Sequence, residues 1–203
     1  MLIALYKYIL KISVLADKKR GRRWKKQKQQ SLQPDLLERT DSMTFMEEYK
    51  QKLITPEKAA SLVKSGDLVG YGHFGLFPAE FDKALGKRAG EENLVNVTID
   101  CASSVRYPQV LKNDPEMKTF TYYSNHFNGL ERKLGDINRI SYVPTQYHDL
   151  QKIRGDVVQP FLKKNVMCLM TCPMDSHGNF NFGIAASDTY ATLKNAYLII
   201  VEV

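Results

Sequence analysis

Residues Val166-Met167-Cys168-Leu169-Met170-Thr171 form a continuous apolar run that ends in a single threonine. A strand with no polar face has to be covered on both sides, as in a parallel sheet lying between layers of helix. A second such segment, Ala196 to Val203 (Ala-Tyr-Leu-Ile-Ile-Val-Glu-Val), is the strongest strand signal in the chain. Upstream of both, helix and strand signals alternate. Thr55-Pro56-Glu57 starts a helix with a capping hydroxyl, a proline at the first helical position and an acid in the first turn. Ser65-Gly66 should end it. Asp67 to Gly72 reads as a short strand that runs into the glycine-bearing loop Gly72-His73-Phe74-Gly75. Pro78 opens the next helix, in which Phe81, Ala84, Leu85 and Ala89 recur at spacings of three and four and so share one buried face; Gly90 closes it. Leu94 to Asp100 is rich in β-branched residues and reads as a strand. This order predicts an α/β fold: a layered, open, largely parallel sheet flanked by helices.

The middle of the chain is less regular. Thr119 to Ser124 reads as a strand, Leu130 to Leu134 as a helical turn, and Arg139 to Val143 as a strand stopped by Pro144. After the apolar run comes a dense turn signal, Pro173 to Asn179, and then the apolar-polar alternation Phe180 to Ile184, which predicts a hairpin or a doubled-back loop. Ser187-Asp188 is placed to cap a helix running through Lys194.

The formal charge of +7 suggests a nucleic-acid partner until its position is considered. Residues 1–42 hold 11 Lys/Arg against 4 Asp/Glu, and the remainder holds 18 of each. The globular part therefore has no surplus with which to neutralise phosphates, so a nucleic-acid footprint on it is not supported. Met1 to Ala16 is interrupted by Lys7 and Lys11, short of the roughly 20 apolar residues of a membrane span. A secretory signal would put its charge before the apolar run, and here Lys18 to Lys26 follow it. Three readings of residues 1–42 stay open: a disordered or non-native extension, a basic helix lying on anionic lipid, or a mitochondrial targeting segment. Ordered sequence is expected from Met43 or Met46, which gives an extension over 1–42 and a domain over 43–203. Cys101, Cys168 and Cys172 cannot all pair and lie in apolar contexts, as expected in a reducing compartment.

Three strings occur in order: Gly70-Tyr71-Gly72-His73-Phe74 before Pro78, Tyr142 to Leu150 (Tyr-Val-Pro-Thr-Gln-Tyr-His-Asp-Leu), and Pro173 to Gly183 (Pro-Met-Asp-Ser-His-Gly-Asn-Phe-Asn-Phe-Gly). Together they resemble the amino-terminal domain of the acetyl-CoA hydrolase/transferase family, of the butyryl-CoA:acetate and 4-hydroxybutyrate CoA-transferase type, over about residues 44 to 203. The resemblance implies one domain of a two-domain enzyme, with Ile200 to Val203 leading toward the second. It implies ping-pong transfer of CoA from a short-chain acyl-CoA to acetate or a similar acid, with coenzyme A as co-substrate and no permanently bound cofactor. The nucleophilic glutamate, which forms a mixed anhydride and then a glutamyl-CoA thioester, is expected in the carboxy-terminal domain, so no catalytic residue is expected here. The wall of the cleft between domains is expected to use Gly72, His73 and Phe74, then Tyr147 and His148, then Asp175, His177 and Gly178. The resemblance further implies a cytoplasmic homo-oligomer when complete, with mitochondrial placement if residues 1–42 are a targeting segment. Acetyl-CoA hydrolysis, with water in place of the second acid, and a non-catalytic fragment or split subunit are the competing readings.

Other residues invite sharper readings that their patterns do not support. His148 and His177, with Asp149 and Asp175, match no zinc or facial-triad spacing and read as turn-formers, so no metal is expected. Cys168 and Cys172 have three residues between them where redox pairs favour two, and they read as packing residues. Glu202, a carboxylate at a strand end, reads as structural. Phe120, Tyr122, Tyr123 and Phe127 have no basic neighbours for base stacking and read as core or as a domain contact.

Overall fold

The computed structural model describes residues 2–6, 43–154 and 165–203. Its elements in chain order are β1 (Leu2–Tyr6), α1 (Phe45–Gln51), β2 (Leu53–Ile54), α2 (Pro56–Ser61), β3 (Leu68–Tyr71), α3 (Ala79–Gly86), β4 (Val97–Cys101), α4 (Gln109–Asn113), β5 (Phe120–Ser124), α5 (Gly129–Asp136), β6 (Ser141–Tyr142), α6 (Leu150–Arg154), β7 (Val166–Met170), α7 (Thr189–Asn195) and β8 (Leu198–Glu202). Short 3-10 turns cover Phe74–Leu76 and Tyr147–Asp149. The strands form one sheet in the order β2-β1-β8-β7-β3-β4-β5-β6. The six strands from β8 to β6 are all parallel to their neighbours, and β1 and β2 close one edge antiparallel. The expected α/β class and largely parallel sheet are what the chain adopts.

Strands β7 and β8 show why the apolar runs had to sit inside. Val166 and Cys168 of β7, with Leu198 and Ile200 of β8, join one core, together with Ala59 and Ala60 of α2, Phe81 and Leu85 of α3, Val110 and Leu111 of α4 and Leu134 of α5. The alternate residues Met167, Leu169, Ile199 and Val201 join Leu193 of α7 in a second core on the other face. Beside that second core, Tyr49, Phe180, Phe182 and Ala185 pack as partly buried neighbours.

Several boundaries shift for identifiable reasons. Helix α2 stops at Ser61, before the expected Ser65-Gly66, because Leu62 and Val63 already bond three residues back and Arg88 takes the carbonyls of Ala60 and Val63. Gly66, at φ +81, forms the turn into β3 instead. Helix α3 closes at Gly86, and Gly90, also at φ +81, lies in the connection to β4. Strand β6 is shorter than Arg139 to Val143, since Arg139 turns its guanidinium to the carbonyls of Leu111 and Asp114. Phe180 to Ile184 adds no strand. It is the doubled-back arm of a loop, held where Cys172 N–H donates to Asn181 O (2.9 Å) and Asp175 N–H to Asn179 O (2.9 Å).

Leu2–Tyr6 departs from the expectation of a disordered extension, because these five residues pair antiparallel with β8 along its full length. The strand-forming Leu-Ile-Ala-Leu-Tyr meets a β8 edge whose backbone groups need a partner. Residues 7–42, where the basic-helix and targeting readings fall, lie outside the described residues, and the extended backbone of 2–6 is not helical. Among the described residues no helix is long and apolar enough to cross a membrane.

Candidate functional site

Strands β3, β4, β5 and β7 run parallel, so the loops that leave their carboxyl ends gather along one edge of the sheet, the edge at which open α/β sheets hold ligands. Three non-glycine residues in these loops have left-handed backbone: Phe74 (φ +52) after β3, Ser103 (φ +54) after β4 and Ser187 (φ +46) after β7. Such conformations cost energy and persist only where surrounding contacts impose them. Ser103 is fixed through its N–H and Oγ, which both donate to the carbonyl of His126 in the loop after β5 (3.2 and 3.0 Å).

The β3 loop is anchored by what cannot fit there. A Cβ on Gly72 would lie 2.4 Å from the Leu76 carbonyl oxygen and 3.0 Å from Leu169 Cβ, so only glycine lets the chain pass. His73 follows with no exposed surface. Its Nδ1 is 2.7 Å from Ser187 Oγ, and its Nε2 is 3.4 Å from Asp188 Oδ1, a carboxylate that is itself fully enclosed. Phe74 presents its ring edgewise to His73 and to His126, each at 6.3 Å between centroids. The loop is thus tied to the segment before α7 on one side and reaches the β5 loop on the other.

Ser187 and Asp188 were expected to cap α7. Asp188 holds the cap position but makes no side-chain cap bond; its carboxylate faces the His73 ring and accepts from Thr192 Oγ1 (3.4 Å). Ser187, at φ +46, is the third of the left-handed loop residues. The only sequence signal for this trio was His73 itself, because a buried imidazole needs polar partners and nothing local supplies them.

The other expected site residues sit on other elements. Tyr147 and His148 are exposed on the 3-10 turn Tyr147–Asp149, with His148 Nε2 3.5 Å from Asp149 Oδ2. That turn leads into α6, whose Gln151 amide reaches the Ser187 carbonyl at 3.5 Å. Asp175 closes its own turn by accepting the N–H groups of Asn179 (2.8 Å) and His177 (2.9 Å), bonds that hold its carboxyl below the usual range. Gly178, at φ +81, touches α1, since an added Cβ would lie 2.4 Å from Phe45 Cδ1.

Buried carboxylates elsewhere are committed to backbone. Helix α3 begins at Pro78, which has no capping side chain, and Glu202 of β8 reaches across to accept from Glu80 N–H (3.2 Å) and Phe81 N–H (3.1 Å). Asp82 does the same for α4 through Gln109 N–H (2.6 Å) and Val110 N–H (3.4 Å), and it also accepts from Tyr71 OH (3.2 Å). Burial outweighs these bonds and pushes its carboxyl up to about 6. Glu131 accepts from Ser104 N–H (2.8 Å), Ser124 Oγ (3.0 Å) and Asn128 N–H (3.0 Å). None of the three cysteines is in a disulfide; Cys101 and Cys168 are buried, and burial lifts the Cys168 thiol well above its ordinary value. Among the described residues no group of three His, Cys, Asp or Glu side chains is placed to hold a metal ion.

Fold and edge together define a class: an open, parallel α/β domain that presents a rigid, glycine-anchored wall of loops at the carboxyl ends of its strands. The family model for the acetyl-CoA hydrolase/transferase N-terminal domain matches residues 37–203, and the chain belongs to that family. It is 38% identical over 162 residues to a butyryl-CoA:acetate CoA-transferase of Anaerostipes caccae, covering 79% of this chain and 35% of that protein. It is 39% identical over 161 residues to a probable butyrate:acetyl-CoA coenzyme A-transferase of Syntrophomonas wolfei, covering 78% and 34%. The chain therefore spans about a third of the length of these relatives. Its fold is shared with RipA from Yersinia pestis (22% identity, TM-score 0.62, covering 76% of this chain and 36% of that one). A 4-hydroxybutyrate CoA-transferase from Porphyromonas gingivalis also shares it (18% identity, TM-score 0.53, covering 75% and 33%).

Proposed function

We propose that this chain forms the amino-terminal wall of an acyl-CoA:carboxylate CoA-transferase that moves CoA from a short-chain acyl-CoA to acetate or a similar acid. The observation that carries this reading is the pair of relatives at 38% and 39% identity, both named for butyrate and acetate CoA transfer. The reacting carboxylate is a glutamate of a second domain. It attacks the thioester carbonyl to give a mixed anhydride and CoA thiolate; the thiolate then attacks the glutamyl carbonyl, releases the first acid and leaves a glutamyl-CoA thioester for the second acid. The residues of this chain bind and exclude water. Phe74, pinned between His73 and His126, offers an apolar edge to the acyl chain, and Gly72 lets the loop that carries it pass close against Leu76 and Leu169. Tyr147, His148, Asp175, His177 and Gly178 make up the more exposed part of the same wall.

The test is to combine this chain with the second domain, in one polypeptide or by co-expression, and assay butyryl-CoA with and without acetate. Thiol-free transfer that requires acetate is expected, and Phe74→Ala should raise KM for butyryl-CoA about tenfold, the effect of losing one apolar contact on the acyl chain. Acetate-independent thiol release at full rate refutes transfer. An unchanged KM in Phe74→Ala removes Phe74 from the wall.

A further inference from the structure

The trio Ser187, His73 and Asp188 has no part in the glutamate chemistry above. Asp188 Oδ1 lies 3.4 Å from His73 Nε2, an ion-pair distance outside hydrogen-bond geometry, at which its charge favours the tautomer with the proton on Nε2 and leaves the Nδ1 lone pair facing Ser187. That lone pair meets Ser187 Oγ at 2.7 Å. His73 and Asp188 are enclosed while Ser187 is half-buried, so among the described residues Ser187 is the member of the trio nearest to solvent. Ser187 holds left-handed backbone (φ +46), strain of the kind that accumulates at reacting positions. Ile184, three residues earlier, is 89% exposed and lies over Gly75 of the β3 loop, where it offers an apolar contact for an acyl chain. These are the roles of a serine nucleophile, its base and the orienting acid, with the two ring nitrogens exchanged relative to the usual arrangement.

We propose that Ser187 is a nucleophile that takes an acyl group from a small acyl thioester. Ser187 Oγ attacks the thioester carbonyl carbon as its proton passes to His73 Nδ1; the C–S bond breaks, and the thiolate leaves with that proton. A water then attacks the acyl-serine, gives a proton to Nδ1 and releases the acid as the proton returns to Ser187 Oγ. The balance is thioester plus water to acid plus thiol. An oxygen ester lacks the group-transfer potential of a thioester, so this route leads to slow hydrolysis and is separate from transfer through glutamate.

The experiment uses the purified chain without a second domain, so its outcome is independent of the transferase reading. Butyryl-CoA, and in a parallel arm a fluorophosphonate probe, are incubated with the protein, and the modified residue is located by intact-mass and peptide mass spectrometry. One acyl or phosphonyl group on Ser187 is expected. Ser187→Gly should abolish it with the fold intact, since glycine relieves the left-handed strain. Asp188→Asn should slow labelling at least about 100-fold by disturbing the tautomer and the imidazolium. Should Asp188→Asn fail to fold, Ser187→Cys decides: the thiol it introduces should react with iodoacetamide at least about tenfold faster than the exposed Cys172, because His73 draws off its proton. No modification of Ser187 by either reagent overturns the proposal. So does labelling that a folded Asp188→Asn leaves unchanged, or an introduced thiol in Ser187→Cys that reacts no faster than Cys172.

Discussion

Glu202 offers the cleanest separation of a structural carboxylate from a reacting one. It stands near the end of β8, buried, and accepts from the N–H groups of Glu80 and Phe81 at the start of α3. Replacing it with alanine strands both donors. Glu80 is exposed and its N–H can turn to water, whereas Phe81 is fully buried and its N–H cannot. A lost helix cap costs about 1 kcal/mol, and an unsatisfied buried donor that had bonded a charge adds about 2 kcal/mol. Glu202→Ala should therefore lose roughly 3 kcal/mol, or about 6–12 °C of Tm for a chain of this size. Glu202→Gln keeps one acceptor and the side-chain volume, and should lose about 1 kcal/mol. Thermal and urea unfolding of both variants, read by circular dichroism, measure this. Equal losses, or a loss under about 1 kcal/mol in Glu202→Ala, would refute the cap.

The raised Asp82 carboxyl makes a pH prediction. Its folded value of about 6 exceeds the ordinary 3.8, so its protonated form contributes roughly 3 kcal/mol that is full below about pH 4 and lost as pH rises through about 6; Asp82→Asn should flatten that component of the urea-unfolding profile, and a parallel profile would contradict it. Gly72→Ala should cost more than about 2 kcal/mol through collision with the Leu76 carbonyl, while Gly66→Ala, in open space at φ +81, should cost about 1 kcal/mol; equal Tm losses would remove the steric account. In the native protein Cys172 should react with a disulfide-exchange reagent while Cys101 and Cys168 react only after unfolding, and early labelling of Cys168 would contradict its burial.

The fold was legible wherever a local pattern and a long-range requirement coincided. The unbroken apolar character of Val166 to Met170 demanded cover on both faces, and both faces are covered. Thr55 caps α2 as expected, with its hydroxyl accepting from Lys58 N–H. Where local signal and tertiary demand diverged, the pattern misled. Phe180 to Ile184 alternates like a strand, yet its aromatic rings turn to α1 and the second core and its backbone joins no ladder. Asp188 has the identity and position of a helix cap, but its partner is an imidazole far back in the chain, on the loop after β3. Of the expected site residues, Gly72, His73 and Phe74 came from the family resemblance, and His73 was marked besides by its place in a glycine loop at a strand end. Ser187 carried no such mark, since a serine ahead of a helix is ordinary.

The buried acids explain why that last pair stands apart. The outer helices are short, from five to eight residues, and two of them begin at prolines that cap nothing. Each then needs an acceptor from outside: Glu202 serves α3 and Asp82 serves α4, while Asp114 takes the N–H groups of Lys118, Thr119 and Phe120 at the entry to β5. Carboxylates buried for this purpose face backbone amides, which fixes their geometry, and of these Asp82 also accepts from the Tyr71 hydroxyl. Asp188 sits where a cap is wanted at the start of α7 and turns instead to an imidazole that in turn meets a hydroxyl. A helix start without its side-chain cap costs about 1 kcal/mol. That cost is retained here at the carboxyl edge of the sheet, beside the strained loop that carries Phe74, which is where a chain gains from orienting a base more than from closing a helix.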